Sequence, residues 1–355
     1  MLGVHIFDVG QGDSILLELP DGSWGVIDCK TKAGAPVPPA LGYLLDRGVE
    51  KLAFVCLTHP HEDHYSGLPK MLEHFGNKID EFWCFRLDSQ HWAKFFQVRD
   101  NAATTPSRKH QVKQLTDIFR RIEDMDLFAQ DRVRFVDANY HFPNFGDVAI
   151  DCLAPSPKEL SGYLSSLSRW VHHPEEYKAD ENCLSVVLRI KYGDSCILLG
   201  SDASSESWMN INRYSVKYDD SILSNLVKVS HHGSKEGYFK GAWETMSRPA
   251  FTHGSISSGG RYGHPSDVVL SGLVQCGVRL HCTNYGPSCL KTDEVDLSKF
   301  EGLPESAKLQ LFMLDQTASK KSRTCDGDLH FRIDVDGRVE FAHQYAGLCP
   351  LHLPR

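Results

Sequence analysis

Three histidines and an aspartate fall within six positions at His59-Pro60-His61-Glu62-Asp63-His64, directly after the apolar run Leu52–Leu57. Imidazole and carboxylate are ligands that suit zinc and its first-row neighbours. Side chains two apart at the end of a strand point the same way, so His59 and His61 can hold one ion. Asp63 and His64 follow where the chain turns toward a helix, and they can hold a second ion close by. Paired ions of this kind clamp the attacking and leaving oxygens of a hydrolytic displacement. The helical single-zinc pattern His-Glu-x-x-His fails by one position, because position 65 is Tyr. Pro60 also argues against a helix at that point. The plain alternative is a cluster of solvated histidines; the strand before the motif and Gly67 after it speak against that.

A two-ion site needs ligands from other strands. Asp202 follows the buried run Ile197-Leu198-Leu199 and the turn Gly200-Ser201, where a carboxylate can bridge two ions. Its alternative role is to cap the helix that begins near Ser204. His231-His232-Gly233-Ser234 follows a second apolar run, from 226 to 230. Each histidine could face an ion, or one could bind metal while the other meets substrate. Lys228 and Lys235 flank this pair and read as solvated surface, with contact to an anionic substrate as the alternative. His5 and His253 lie on expected strands and read as structural or as supports for the ligands.

The elements that must position these residues are strands. Runs 6–9 and 14–19 around Gly10-Gln11-Gly12-Asp13 read as a hairpin, and Asp21-Gly22 turns into a further strand at 24–28. Gly10 and Gly12 lack the third glycine of a dinucleotide fingerprint, since position 15 is Ile. A loop and short helix follow at 36–47, then a buried strand at 51–57 and a helix at 68–75. From about 80 to 142 the pattern turns helical, notably at 90–98 and 109–122, with Arg99, Arg108, Lys109, Lys113, Arg120 and Arg121 interspersed. A second helix-like insertion spans about 156–180. Strands are expected at 132–136, 148–153, 184–190, 195–199, 226–230, 250–252 and 279–283, with a late hairpin at 329–334 and 338–342. Strands, helices and strands again fit two packed sheets with helices outside.

The chain has 355 residues, 41% hydrophobic and 24% charged, an ordinary globular composition. Eleven scattered cysteines without a Cys-x-x-Cys pair suit reduced, buried thiols. No apolar run reaches the length of a membrane span, and no basic-then-apolar leader opens the chain. A soluble, cytoplasmic protein without membrane contacts is expected. The net charge of −8 supplies no global field for nucleic acid, so such a substrate needs a local basic groove.

Six elements occur in order over roughly positions 4 to 285: Phe7-Asp8-Val9-Gly10-Gln11-Gly12-Asp13, the His59–His64 motif, Glu181-Asn182-x-x-Ser185, Asp202, His231-His232-Gly233-Ser234 and Tyr262-Gly263-His264-Pro265. Together they resemble the metallo-β-lactamase superfamily, and within it the branch typified by the hydrolase domain of the DNA-uptake protein ComEC. The resemblance implies an α/β fold, the metallo-β-lactamase αββα sandwich, with a metal site at one edge. The helical insertions then interrupt a single hydrolase domain over 1–345, followed by a tail at 346–355. The implied cofactors are two divalent metal ions, zinc foremost and manganese as the alternative. Their ligands would be His59, His61, Asp63, His64, Asp202, His231 and His232. Asn182, Ser185 and Ser234 would meet substrate. Asp63 and His264 would be catalytic, with His264 protonating a leaving group or binding phosphate, work that suits histidine near neutral pH; a loop histidine held by hydrogen bonds is its plain alternative.

Two departures matter. Many superfamily members carry an isolated metal-binding histidine between the first motif and the bridging aspartate. Here His172-His173 lie in a helix-like insertion, while Asn182 and Ser185 match the branch. Ser201-Asp202 also stands where Gly-Asp is usual. The membrane-channel portion of the uptake protein is absent, so transport does not carry over. Phosphodiester hydrolysis is the leading expectation, with nucleic acid the first substrate class and a small phosphodiester also open. The rivals are hydrolysis of another small molecule (a phosphocholine ester, cyclic nucleotide, lactone or thioester) and a non-catalytic, metal-stabilised binding protein. Region 86–121 discriminates: a nuclease needs its arginines along a groove, with Trp83 or Trp92 free to stack bases.

Overall fold

The computed structural model describes residues 1–87, 89–249, 251–257, 262–284 and 327–343. The chain opens with β1 (Leu2–Ile6), β2 (Ser14–Glu18) and β3 (Trp24–Cys29), then α1 (Pro39–Asp46), β4 (Leu52–Leu57), α2 (Glu62–Tyr65), α3 (Leu68–Phe75) and β5 (Ile79–Phe85). The helices α4 (Ser89–Ala102) and α5 (Pro106–Asp124) precede β6 (Val133–Val136). A second series follows: β7 (Val148–Ala154), α6 (Pro157–His172), β8 (Val187–Tyr192), β9 (Ser195–Leu199), α7 (Ser205–Tyr218), β10 (Leu226–Lys228), α8 (Lys240–Met246), β11 (His253–Ile256), α9 (Asp267–Gln275) and β12 (Arg279–Cys282). The hairpin β13 (Leu329–Ile333) and β14 (Val339–His343) returns to the first series.

Two sheets result, ordered β14-β13-β1-β2-β3-β4-β5-β6 and β12-β11-β10-β9-β8-β7. In the first, β1, β2 and β3 are antiparallel, and β3 through β6 run parallel. The second repeats the plan: β7, β8 and β9 are antiparallel, and β9 through β12 parallel. Side chains that alternate along a strand separate into two cores. Leu188, Ile190, Ile197 and Leu199 join the core that also holds the first sheet. Val187, Leu198, Val227 and Val229 face the opposite way, against Trp208 and Ile211 of α7, Trp243 of α8 and Leu270 and Leu273 of α9. This is the expected α/β sandwich of two sheets between helical layers.

Several boundaries move. The first insertion is helical only within 89–124, because β5 and β6 are the terminal strands of the larger sheet. The strand expected at 250–252 lies at His253–Ile256 instead, and Ala250 falls outside the described residues. So does the tail at 346–355. Among the described residues, six of eight cysteines are buried. No described helix is long and apolar enough to cross a membrane.

Trp83 is fully buried, its ring 3.7 Å from Phe54 and 3.8 Å from Phe142 between centroids. Its indole nitrogen donates to Glu81 at 2.8 Å. Replacing Trp83 with Ala is expected to cost about 3–5 kcal/mol, the range for removing a buried aromatic ring. Urea unfolding would read this as a lower midpoint at unchanged slope; an unaltered midpoint would contradict the packing role.

Candidate metal centre

The site forms where adjacent parallel strands end. In the first sheet β3 ends near Asp28, and its neighbour β4 delivers Thr58, His59 and His61. In the second sheet β9 runs into Ser201 and Asp202, and its neighbour β10 delivers His231 and His232. Ligand sites of open parallel sheets lie beyond the carboxyl ends of the strands, and here two such ends meet. His61 precedes the single turn α2, which carries Asp63 and His64.

Asp202 is the hub. It is 2% exposed, and its two oxygens reach His64 Nε2 and His232 Nε2 at 3.3 Å each, His59 Nε2 at 3.6 Å and His231 Nε2 at 3.8 Å. His59 Nε2 is also 3.2 Å from His61 Nδ1, and His232 Nε2 is 3.4 Å from Asp63 Oδ2. Two triads of donor atoms follow at the centre, His59–His61–Asp202 and Asp63–His64–His232, and a third group, Asp13–Asp28–His64, joins His64 to two of the carboxylates behind the rings. The cap expected as an alternative role for Asp202 belongs to Ser204, whose side chain accepts from the Ser207 amide.

Each histidine of the two triads is held from behind, His61 with its side chain 36% exposed and the other three fully buried. His64 Nδ1 meets Asp28 Oδ2 at 2.6 Å, and Asp28 also accepts from the Thr58 amide at 2.8 Å and hydroxyl at 2.6 Å. His59 Nδ1 lies 3.3 Å from Ser201 Oγ, which donates to Thr58 Oγ1 at 2.7 Å. His61 Nε2 faces Glu181 Oε2 at 3.3 Å, and Glu181 is paired with Arg99 at 2.6 Å. His232 Nδ1 faces Asp13 Oδ1 at 3.7 Å, and Asp13 is paired with Lys228 at 2.9 Å. Such outer partners fix ring orientation and tautomer around a metal.

Backbone strain concentrates at the same place. Among the described residues, eight non-glycine residues have positive φ, and four are Asp28, Ser201, His231 and His232. Each costs on the order of 1–3 kcal/mol and persists only where the surroundings enforce it. Gly12, at φ +132, lies against Asp63: a Cβ there would collide with the Asp63 carbonyl, and the Asp13 amide donates to that carbonyl at 3.0 Å.

The electrostatics follow from burial and proximity. Burial lowers the pKa of His59 far below its usual value, reinforced by the charge of His64. For His64, burial is outweighed by the Asp202 and Asp28 carboxylates, which raise its pKa well above normal. For His61, burial is outweighed by the bond to Glu181 and its charge, and the pKa rises. Asp202 is held far below the carboxylate range because the charges of His232 and His64 overcome its burial. Asp63 is lowered against burial by its bond to His232 and the charge of His64. Burial raises Asp28, despite His64. An ionised carboxylate among buried imidazoles is a site arranged for positive charge.

The residues fit a pair of divalent ions by a separate observation. His64 Nε2, His232 Nε2 and Asp202 Oδ1 are buried and have no hydrogen-bond partner. Orphaned buried donors and acceptors are costly, and these three are imidazole and carboxylate atoms that converge where ligands belong.

The other expected site residues divide. His232 is fully buried inside the centre, whereas the His231 side chain is 22% exposed at the rim. His264 stands beside His231, ring centroids 5.8 Å apart, with a buried Nδ1 that has no partner. Burial lowers its pKa, as do the neighbouring charges of His231 and His232. Asn182 and Ser185 flank the turn that carries Glu181, and Asn182 Oδ1 and Ser185 Oγ are buried without hydrogen-bond partners. Ser234 is different: its buried hydroxyl donates to the Glu236 carboxylate and accepts from the Glu236 amide, so it caps a turn. Lys228, read as surface, is fully buried against Asp13, while Lys235 is exposed. His172 and His173 are exposed at the end of α6. His5 packs with Tyr43 and His330, and His253 stacks on His281. Sequence reasoning missed Asp28, Thr58, Glu181 and Ser201 as outer partners; Ser201, standing where Gly is usual, and Glu181, opening the Glu181-Asn182-x-x-Ser185 element, carried a signal.

Residues 7–96 match the family model described as Metallo-beta-lactamase superfamily. The match supports membership of that superfamily. No curated protein matches the chain. Solved structures with similar folds include CmlA, a diiron beta-hydroxylase from Streptomyces venezuelae, at 12% identity and TM-score 0.41, covering 77% of this chain and 50% of that one. A metal-dependent hydrolase described as putative, from Parabacteroides distasonis, is 10% identical with TM-score 0.40, covering 79% and 92%. The metallo-beta-lactamase fold protein YhfI from Bacillus subtilis is 11% identical with TM-score 0.42, covering 79% and 96%. The chain thus spans about half the length of CmlA. The superfamily segment 7–96 contains Asp13, Asp28 and the whole His59–His64 motif, but ends before Asp202 and His232.

The two rim-and-centre histidines give a direct check. His232→Ala is expected to lower bound metal in protein purified without chelator, and His231→Ala to leave about two ions per chain, the number a two-metal site requires. Elemental analysis reads both; equal metal loss in the two variants would contradict the assignment of His232 as the ligand.

Proposed function

We propose that this chain is a binuclear metal-dependent hydrolase acting on phosphodiesters. The observation that carries the reading is the pair of neighbouring triads, one containing the buried carboxylate Asp202, whose Oδ1 also stands 3.3 Å from His64 and His232 of the other, with buried donor atoms that have no hydrogen-bond partner. When bound, divalent ions, zinc foremost or manganese, supply Lewis acidity and a water of lowered pKa. His59, His61 and Asp202 would hold one ion, and Asp63, His64 and His232 the other, with Asp202 touching both. Asp63, 25% exposed, is the ligand carboxylate that reaches the open face, so it also orients the nucleophile. His231 and His264 form the substrate side of the rim. Burial and the neighbouring charges of His231 and His232 disfavour the protonated form of His264, and an arriving phosphate charge would favour it. It then donates to the leaving oxygen or binds a phosphoryl oxygen. Asn182 and Ser185, in and just after the turn that carries Glu181, have buried polar atoms without hydrogen-bond partners that could meet substrate. The resemblance to the ComEC-type branch supports phosphodiester chemistry.

Within that reading, the packing of region 86–121 favours a small phosphodiester over nucleic acid. Trp83 is sealed between Phe54 and Phe142 and cannot stack a base. Trp92 is packed among Phe85, Phe95, Phe96 and Phe119. Arg99 is committed to Glu181, Arg86 to Asp137 and Arg120 to Asp117. The aromatic platform of a single-strand groove is thus missing from the places where the sequence offered it.

Activity of the zinc- and manganese-loaded protein on bis-(p-nitrophenyl) phosphate, small cyclic and linear phosphodiesters, single- and double-stranded DNA and RNA, a lactone and a thioester tests the reading. Turnover of small phosphodiesters above nucleic acids is expected; preference for DNA or RNA would restore the nuclease reading, and turnover of the lactone or thioester alone would end the phosphodiesterase one.

Asp63→Asn keeps the shape and loses the charge, and is expected to abolish most turnover while the fold survives, as judged by circular dichroism. Near-normal turnover by the folded variant would rule out this role. His264→Ala is expected to retain metal and lose about a hundredfold or more in rate on substrates with poor leaving groups, the range for general acid catalysis. The p-nitrophenolate ester should suffer less, since it needs little protonation; equal losses would make His264 a phosphate-binding residue instead.

A further inference from the structure

The outer partners of the four triad histidines differ in origin. Asp28 behind His64 ends β3, Ser201 behind His59 follows β9, and Asp13 behind His232 lies in the β1–β2 turn, with its counter-charge Lys228 on β10. All of these belong to the two sheets and their strand-end turns. Glu181 behind His61 is the exception. It sits in the single turn before β8, and its counter-charge, Arg99, comes from α4 in the helical insertion.

The contact is a built one. Glu181 is 7% exposed, and the Arg99 side chain 11%. The guanidinium donates to Glu181 Oε2 at 2.6 Å, and the same oxygen faces His61 Nε2 at 3.3 Å. Arg99 also lies over the Phe95 ring of its own helix at 5.2 Å, and α4 packs on both α5 and α6. His61 Nδ1, the opposite side of that ring, is the atom 3.2 Å from His59 Nε2 within the first triad. A line of three charged or polar groups therefore runs from the insertion to one ligand of one ion site.

We propose that Arg99 is a positioning residue for the metal centre: by compensating Glu181 it fixes the His61 ring, so the Arg99–Glu181 contact sets the affinity of the His59–His61–Asp202 site more than that of Asp63–His64–His232. A buried carboxylate stripped of its cation cannot stay ionised in place without large cost. Without the guanidinium that holds it at 2.6 Å, the Glu181 carboxylate is free to move, which releases the ring nitrogen it faces at 3.3 Å. Outer-shell partners of metal-bound histidines are typically worth 10–100-fold in metal affinity. The ring partners of the second triad, Asp28 behind His64 and Asp13 behind His232, lie in strands and strand-end turns, so neither ring is oriented through Glu181, although α2 itself is tied to α5 by Tyr65 and Glu62 at Gln111.

This rests on the binuclear reading above, and its test reads binding rather than turnover. The full chain, freed of metal, is titrated with Zn2+ against a chromophoric chelator and, in parallel, with Co2+ followed by visible absorption. In Arg99→Ala and in Glu181→Gln, one ion equivalent is expected to weaken by about 10–100-fold, with the other equivalent and its Co2+ band as in the parent. Arg99→Lys should recover part of the loss. Arg99→Ala placed on Glu181→Gln should add nothing further, because both act through one contact. Glu181→Gln is nearly isosteric and carries the test should Arg99→Ala fail to fold. Two unchanged equivalents, equal weakening of both, or additive losses in the double variant would overturn the proposal. A parent that binds two ions yet hydrolyses no ester would end the functional reading while leaving this one standing; a parent that takes up no ion would end both.

Discussion

One buried carboxylate governs this structure. Asp202 lies within 3.8 Å of four imidazoles contributed by both sheets. Its burial is tolerable only because positive charge surrounds it, and the cost of an unpaired buried carboxylate is several kcal/mol even after relaxation. The constraint works in both directions. The sheets must be held so that β4 and β10 end at the same depth, and the amide of Val186, just before β8, does this by donating to the Thr58 carbonyl at 3.0 Å. Conversely, a fold that brought the two strand ends together without cations would place ionised groups where solvent cannot reach them.

The local backbone is bent to serve that hub. Ser201 adopts φ 46, a conformation that glycine takes at little cost. Serine there spends strain energy and gains a hydroxyl lying 3.3 Å from His59 Nδ1. His231 and His232 share the same left-handed region, which leaves the first ring at the rim and turns the next inward. Gly233, at φ +83, completes the turn: a Cβ there would stand 2.6 Å from Pro265, so only glycine lets the His264 loop close over the centre. Substitutions at these positions therefore act on the site through geometry before they act through lost contacts.

Much of this was legible in the sequence, for identifiable reasons. The inner ligands sit in short motifs at strand ends, where residue type and two-residue spacing already determine what can converge. The strands announced themselves as apolar runs, and α3 matched its expected span of 68–75 because its apolar positions recur at helical spacing. The outer shell was illegible because its members are remote in sequence and ordinary in type: Asp28 and His64 are 36 residues apart, Arg99 and Glu181 82 apart. Lys228 was misread for the same reason. A lysine beside a histidine pair looks solvated until the partner that neutralises it, Asp13, arrives from the other end of the chain. Trp83 and Trp92 failed as stacking platforms because aromatic residues next to basic ones look alike on a surface and in a core; only packing separates them.

The repeated strand plan explains why the centre has two halves, and why they are not equivalent. Asp28 ends β3 beside β4, and Asp202 follows β9 beside β10, so one carboxylate stands at the same topological place in each sheet. Their roles have diverged. Asp28 is sealed beneath His64 with its oxygens taken by Thr58 and that ring. Asp202 keeps an oxygen without a hydrogen-bond partner and faces both triads. One sheet thus uses its carboxylate to hold the His64 ring in place, and the other sets its carboxylate among the candidate ligands. A centre built this way presents its open face between the strand ends, toward Asp63, His231 and His264. Any substrate must approach from that side, past side chains of the loops rather than the strands. The strands can therefore keep the ion geometry fixed while the loops change what the site accepts.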